Sequence, residues 1–229
     1  MHAALAAIII ATAPAPNVQI ELSAEQAVQE ISQACQSGSL IFSEGDCLAV
    51  RCYTNSPYTH VALVMYESEG LPYVYDSMNG VGVRKLRLDE YLETQAPDHV
   101  HLFHPKRPLT EPEVTGLRDH LESQLGRPYS VKHHITGKRS KGLHCSEYVT
   151  DALVEIEWLD VENPPRVSPA SLAKGVTIHE VYQPAQQYSL PVILEPIPEP
   201  EGTCAKLWQD TKECTWRCCS QMSRWFLCR

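Results

Sequence analysis

The sequence predicts an α+β fold in which an antiparallel sheet packs against helices. Two observations carry this. Strand signals crowd the first half of the chain and helical stripes the second, with no regular strand–helix–strand alternation. The clearest helical stripe, over residues 142–156, sets apolar side chains at Cys145, Tyr148, Val149, Ala152, Leu153 and Ile156, the spacing of one buried helix face. Gly142 breaks the chain just upstream, so this helix begins near His144 or Cys145 and places a thiol at its N-terminus. Free backbone N–H groups and the positive end of the helix dipole favour a thiolate there. No Ser, Thr, Asp or Asn directly precedes Cys145, which leaves the helix start open to an anion or an oxyanion. The competing reading is a plain buried cysteine.

The other elements follow in order. Ser23-Ala24-Glu25-Gln26 has the capping-box spacing, and residues 24–35 read as a first helix ended by Gly38. Residues 46–53 are an apolar run read as a buried strand, and Asn55-Ser56-Pro57 as a loop. Residues 59–66 give the strongest strand signal in the chain. A turn over 67–72 leads to a strand over 73–76, a hairpin or bulge at Gly80 and Gly82, and a further strand over 83–88. A short helix over 88–93 and a strand over 99–104 come next. Thr110 and Glu113 cap a second long helix running to about residue 125. Gly126-Arg127-Pro128-Tyr129 turns the chain, and residues 131–141 are polar and basic, as in a mobile loop. After the Cys145 helix, Ser168 caps a short helix to residue 173, and residues 177–182 read as the last strand. The domain division expected is a segment over 1–16, a folded domain over 17–183, a proline-rich linker over 184–202 and a Cys/Trp-rich tail over 203–229.

A nucleophilic cysteine needs a general base and a group that orients the base. Of the ten histidines, His60 is the lone polar residue at the head of an otherwise apolar strand, where an unpartnered imidazole costs free energy. Asp76 ends the next strand. If the two strands pair as a hairpin, His60 and Asp76 lie at one end, and the carboxylate fixes the imidazole tautomer. A hydrogen-bonded structural histidine and an exposed strand-end aspartate are the plainer readings.

These residues carry a resemblance. Gly45-Asp46, Thr59-His60-Val61-Ala62-Leu63-Val64, Val74-Tyr75-Asp76-Ser77, Gly126-Arg127-Pro128-Tyr129 and His144-Cys145-Ser146-Glu147 fall in the order seen in the permuted papain-fold hydrolases. These are the YiiX/YebB-like branch of the NlpC-type superfamily, related to lecithin–retinol acyltransferases. The resemblance spans residues 42–182. It implies a papain-like fold in which the histidine precedes the cysteine, with Cys145 as nucleophile, His60 as base and Asp76 at the third polar position, where such relatives often carry Glu or His. Ser130 stands where relatives often have an acidic residue. Tyr58, Tyr129 and His144, beside these motifs, are the residues expected to bind substrate. The resemblance implies attack on an amide, thioester or ester carbonyl, with cell-wall peptides or N-acyl and lipid amides as substrates. An acyltransferase using the same acyl-enzyme and a non-enzymatic binding module on this fold remain alternatives.

Composition narrows the partners. With 19 Lys and Arg against 28 Asp and Glu, the formal net charge is -9 and no long basic cluster occurs, which argues against nucleic acid. The longest apolar run, residues 3–13, is too short to span a bilayer. Residues 1–16 resemble a signal peptide in their apolar stretch and Ala11-Thr12-Ala13 site, but lack the positive start; a cleaved signal and a buried or disordered segment both stay open. Neither His133-His134 nor the tail cysteines show a standard zinc spacing, and no cofactor is expected. Cys204, Cys214, Cys218, Cys219 and Cys228, interleaved with Trp208, Trp216, Trp225 and Phe226, suit a disulfide knot or a lipidated segment at a membrane surface. These features favour the cell envelope over the cytoplasm. Oligomeric state is not readable.

Overall fold

Six strands form one antiparallel sheet, and helices cover both of its faces. The computed structural model describes residues 23–45, 48–67 and 69–190. The signal-like segment, the Cys/Trp-rich tail and most of the proline-rich stretch lie outside the described residues.

The strands are β1 (Leu40–Glu44), β2 (Tyr58–Tyr66), β3 (Pro72–Met78), β4 (Gly82–Arg87), β5 (His99–Pro105) and β6 (Tyr182–Ser189), in the spatial order β4-β3-β2-β1-β5-β6. The helices are α1 (Ala24–Ala34), α2 (Leu48–Thr54), α3 (Leu88–Gln95), α4 (Glu111–Ser123), α5 (Lys132–Thr136), α6 (Cys145–Glu155) and α7 (Pro169–Ile178). Strand side chains alternate between faces. Leu40, Phe42, Val61, Leu63 and Tyr75 meet Tyr148, Val149, Ala152 and Leu153 of α6, with Leu117 and Leu121 of α4 and Leu172 and Val176 of α7. Ile41, Ala62, Val64, Val74, Val100 and Leu102 meet Ile31 of α1 and Leu88, Tyr91 and Leu92 of α3. The result is a helix–sheet–helix sandwich with its α6 stripe buried as the spacing predicts.

Several elements form as the sequence leads one to expect. Ser23 and Gln26 cap α1 reciprocally, and the Glu113 carboxylate accepts from the Thr110 N–H at 2.7 Å to cap α4. Three expectations are corrected. The strand expected over 46–53 is instead α2, and its place in the sheet is taken by β1, the central strand paired to both β2 and β5. A short apolar run does not separate strand from helix by its pattern. Asn55, at φ 48, takes the left-handed conformation that closes α2. The last strand is Tyr182–Ser189, because α7 runs through Gly175 to Ile178. Residues 184–189 therefore belong to the sheet and not to a linker; Pro184 is tolerated because β6 is an edge strand paired to β5 alone. Within residues 131–141 the chain forms α5, and Arg139 makes two 2.6 Å hydrogen bonds to Asp151 of α6, so this stretch is anchored and not a free loop.

Two irregularities position the site. β2 and β3 pair only from Leu63–Tyr75 to Tyr66–Pro72, although both strands continue past Leu63 and Tyr75. His60 and Asp76 lie beyond the last paired residues, where the strands part. Into this region comes the segment before α6: the Ser77 hydroxyl donates to the Leu143 carbonyl at 2.8 Å, fully inside the protein. Leu143 is also bridged to Tyr129, with its N–H donating to the Pro128 carbonyl at 2.9 Å. Gly142 is required for that approach, since a Cβ there would sit 2.6 Å from the Pro128 carbonyl oxygen.

Candidate active site

Cys145 is the first residue of α6 and is buried. Its thiol lies close enough to His60, near the start of β2, for each to shift the protonation of the other. His60 is 14% exposed, enough to meet a substrate from one side. Its Nε2 donates to Asp76 Oδ2 at 3.0 Å, which leaves Nδ1 for the sulfur. The order is therefore thiol, imidazole, carboxylate, with Cys145, His60 and Asp76 together as the sequence pattern suggests.

The electrostatics follow from this order. Burial opposes charge on both partners, lowering the imidazole pKa and raising that of the thiol. The opposite charges of Cys145 and His60, with the Asp76 carboxylate behind His60 and the His144 ring beside the thiol, outweigh the burial. The imidazole is held above its ordinary value and the thiol below its own. Thiolate and imidazolium thus coexist. A second buried thiol among the described residues shows the contrast: burial alone pushes Cys35 up to about 12.

Asp76 is 0% exposed, yet its carboxyl pKa is lowered. Burial would raise it; hydrogen bonds and charge from His60 and Arg84 reverse that. Arg84 Nε donates to Oδ1 at 2.7 Å, and its second guanidinium nitrogen donates to Oδ2 at 3.1 Å. Gln95 Nε2 donates to Oδ2 at 3.1 Å. Tyr91 packs its ring near that of His60, with centroids 6.4 Å apart and planes at 28°. Sequence reasoning missed Arg84, Gln95 and Tyr91. Signals for the first two were present. A hairpin about Asn79-Gly80 sets Arg84 directly opposite Asp76, as the observed register confirms. Gln95 is the polar member of the helical stripe Leu88, Tyr91, Leu92.

The three expected substrate contacts fare differently. Tyr129 is half-buried, and burial and the nearby Cys145 charge raise its phenol pKa, so it stays protonated near Cys145. Tyr58 sits in an aromatic group, its ring centroid 5.3 Å from Phe42 and 5.0 Å from His101. His144 is placed inside, contrary to a substrate-facing role. It caps α6: its Nδ1 accepts from the Glu147 N–H at 3.2 Å, and its Nε2 donates to the Pro165 carbonyl at 2.9 Å. The helix start expected to be open is thus capped at one donor by a ring nitrogen, a role that Asn or Asp usually fills. Cys145 and Ser146 keep backbone N–H groups with no partner inside the helix.

Comparison with known proteins identifies the family and the fold. Residues 34–168, more than half of the chain, match the model of the permuted papain-like amidase enzymes, YaeF/YiiX, C92 family. Among solved structures, the metalloprotein YiiX from Escherichia coli O157:H7 has the same fold, with a TM-score of 0.52 at 17% identity over 68% of this chain and 98% of that one. No curated protein sequence matches the chain. A chain with this family match and this permuted papain-like fold belongs to the permuted papain-like amidases of the YaeF/YiiX family.

Proposed function

We propose that this amidase-family chain is a cysteine hydrolase that cleaves an acyl bond through a covalent Cys145 acyl-enzyme. The observation that carries the reading is the buried Cys145 at a helix start, close to His60, whose Nε2 is 3.0 Å from Asp76. The thiolate attacks the acyl carbon. The Cys145 N–H, with the protonated Tyr129 phenol beside it, receives the developing oxyanion. Imidazolium His60 gives its Nδ1 proton to the leaving amine. His60 then takes a proton from water, which attacks the acyl carbon and releases the acid and the thiolate. Peptide amides and N-acyl or lipid amides are the substrate classes. The relative YiiX is described as a metalloprotein. Here no three His, Cys, Asp or Glu among the described residues group to hold a metal ion, and no step runs through one.

The test needs no known substrate. Iodoacetamide at low concentration and pH 6 should alkylate Cys145 ahead of the exposed Cys52, because an ordinary thiol of pKa about 8.5 is scarcely ionised there. His60→Ala should remove most of that preference. If Cys145 reacts no faster than Cys52 by mass spectrometry, or the variant labels like the parent, the thiolate–imidazolium reading is wrong.

A further inference from the structure

Asp76 poses a problem that the three-residue site does not solve. Its carboxylate is 0% exposed and faces an imidazolium. A desolvated carboxylate is a strong base. Left with His60 alone, it would draw the Nε2 proton across the 3.0 Å hydrogen bond. The pair would then be a neutral acid and a neutral imidazole, and the positive charge opposite the thiolate would be gone.

Arg84 answers this. It stands across the β3–β4 ladder from Asp76, in register, with its side chain 13% exposed. Its fork takes one donor to each carboxylate oxygen, at 2.7 and 3.1 Å. Such a bidentate pair is the strongest ordinary hold on a carboxylate. Gln95 adds a neutral donor at 3.1 Å, which fixes orientation but not charge. The other ionisable groups that feel Asp76 are the phenols of Tyr91 and Tyr148; burial keeps both protonated, so neither can replace the guanidinium.

We propose that Arg84 is a positioning residue of the reaction, which keeps the shared proton on His60 by holding Asp76 as an acceptor only. It rests on the reading of Cys145, His60 and Asp76 given above. Arg84 acts through Asp76 and needs no contact with substrate.

The test uses the full chain with labelled histidine, and two readouts. In the parent at pH 6, the ring-nitrogen NMR shifts of His60 should be those of an imidazolium, with both nitrogens protonated. In Arg84→Met, Nε2 should shift toward the value of a nitrogen without a proton, and Cys145 alkylation at pH 6 should fall about tenfold or more, the range of a lost opposite charge. Arg84→Lys, which keeps the charge but not the fork, should retain most of the parent rate. In an Asp76→Asn background, adding Arg84→Met should cause no further loss. If Arg84→Met does not fold, Arg84→Gln, which donates without charge, must show the same loss. The proposal is overturned by imidazolium shifts that persist in the uncharged variants, by Arg84→Lys falling as far as Arg84→Met, or by a full second loss in the Asn background. Absence of acid-range labelling in the parent would sink the catalytic reading instead, and the His60 shifts would still decide the role of Arg84.

Discussion

In the proposed reaction, one carboxylate decides whether the imidazole of His60 is an active base. Asp76 accepts from His60 Nε2, so the neutral ring carries its proton there and turns a lone pair at Nδ1 toward the thiol. Asn in its place keeps the volume but offers a donor as well as an acceptor, and so admits the wrong tautomer. Asp76→Asn should therefore stay folded and lose turnover by about two to four orders of magnitude. Turnover within a few-fold of the parent would remove Asp76 from the site. Cys145, His60 and Asp76 stand out in the sequence because each breaks a local pattern: a thiol opening a helix, a histidine in an apolar strand, an acid near the end of one. His144 was misread for a related reason. Its place next to the cysteine suggested contact with substrate, whereas its ring serves the helix backbone. Capping by imidazole has no strong sequence signature.

At the level of elements, the segment leading into Cys145 is held by a relay of backbone contacts from one edge of the sheet. The Val83 N–H of β4 donates to the Arg127 carbonyl at 2.8 Å, and the Gly126 N–H donates to the Val83 carbonyl at 2.9 Å. Pro128, Tyr129 and Ser130 then carry Leu143, two residues before Cys145. Gly82 opens β4 at φ 99, and any Cβ there would press into the Arg127 carbonyl. Gly82→Ala should combine left-handed strain with this clash and lower stability by about 2–4 kcal/mol, read as a urea midpoint. Cys145 alkylation should slow along with it; a variant as stable and as reactive as the parent would show that the 126–130 segment is not held this way. The sequence revealed the turn at 126–129 but not its partner, since pairing between distant segments leaves no local periodicity. The same limit hid β1. Its residues Leu40, Ile41, Phe42 and Ser43 are buried on both faces and show no alternation to read. The edge strand β6 was hidden by Pro184 and its exposed glutamines, which resemble a linker.

Taken whole, the described residues hold two buried thiols in opposite states. Cys35 packs in apolar surroundings and is pushed up to about 12, whereas Cys145 is held low by His60 and His144. In the unfolded chain both revert to about 8.5, where about 0.3% is thiolate at pH 6. Denaturant at that pH should therefore slow alkylation of Cys145 and quicken that of Cys35, with one shared midpoint. Most thiols react faster on unfolding; if Cys145 does the same, its thiolate does not depend on the fold. The α+β class and the faces of the main helices were legible because they rest on local periodicity. The parting of β2 and β3 beyond Leu63 and Tyr75 was not, because it depends on what another part of the chain inserts there.

The place of each group along the chain has a consequence for how the protein is made. His60, Asp76, Arg84 and Gln95 all precede Cys145, and the hairpin that joins Asp76 to Arg84 closes over a short loop. On the ribosome the base and its supporting charges are synthesised, and can be paired, before the thiol exists. In the proposed reaction Cys145 would then gain its thiolate only as α6 packs against β2 and β3. A half-made chain would carry no activated thiol, and a reactive Cys145 would be a chemical signature of completed folding.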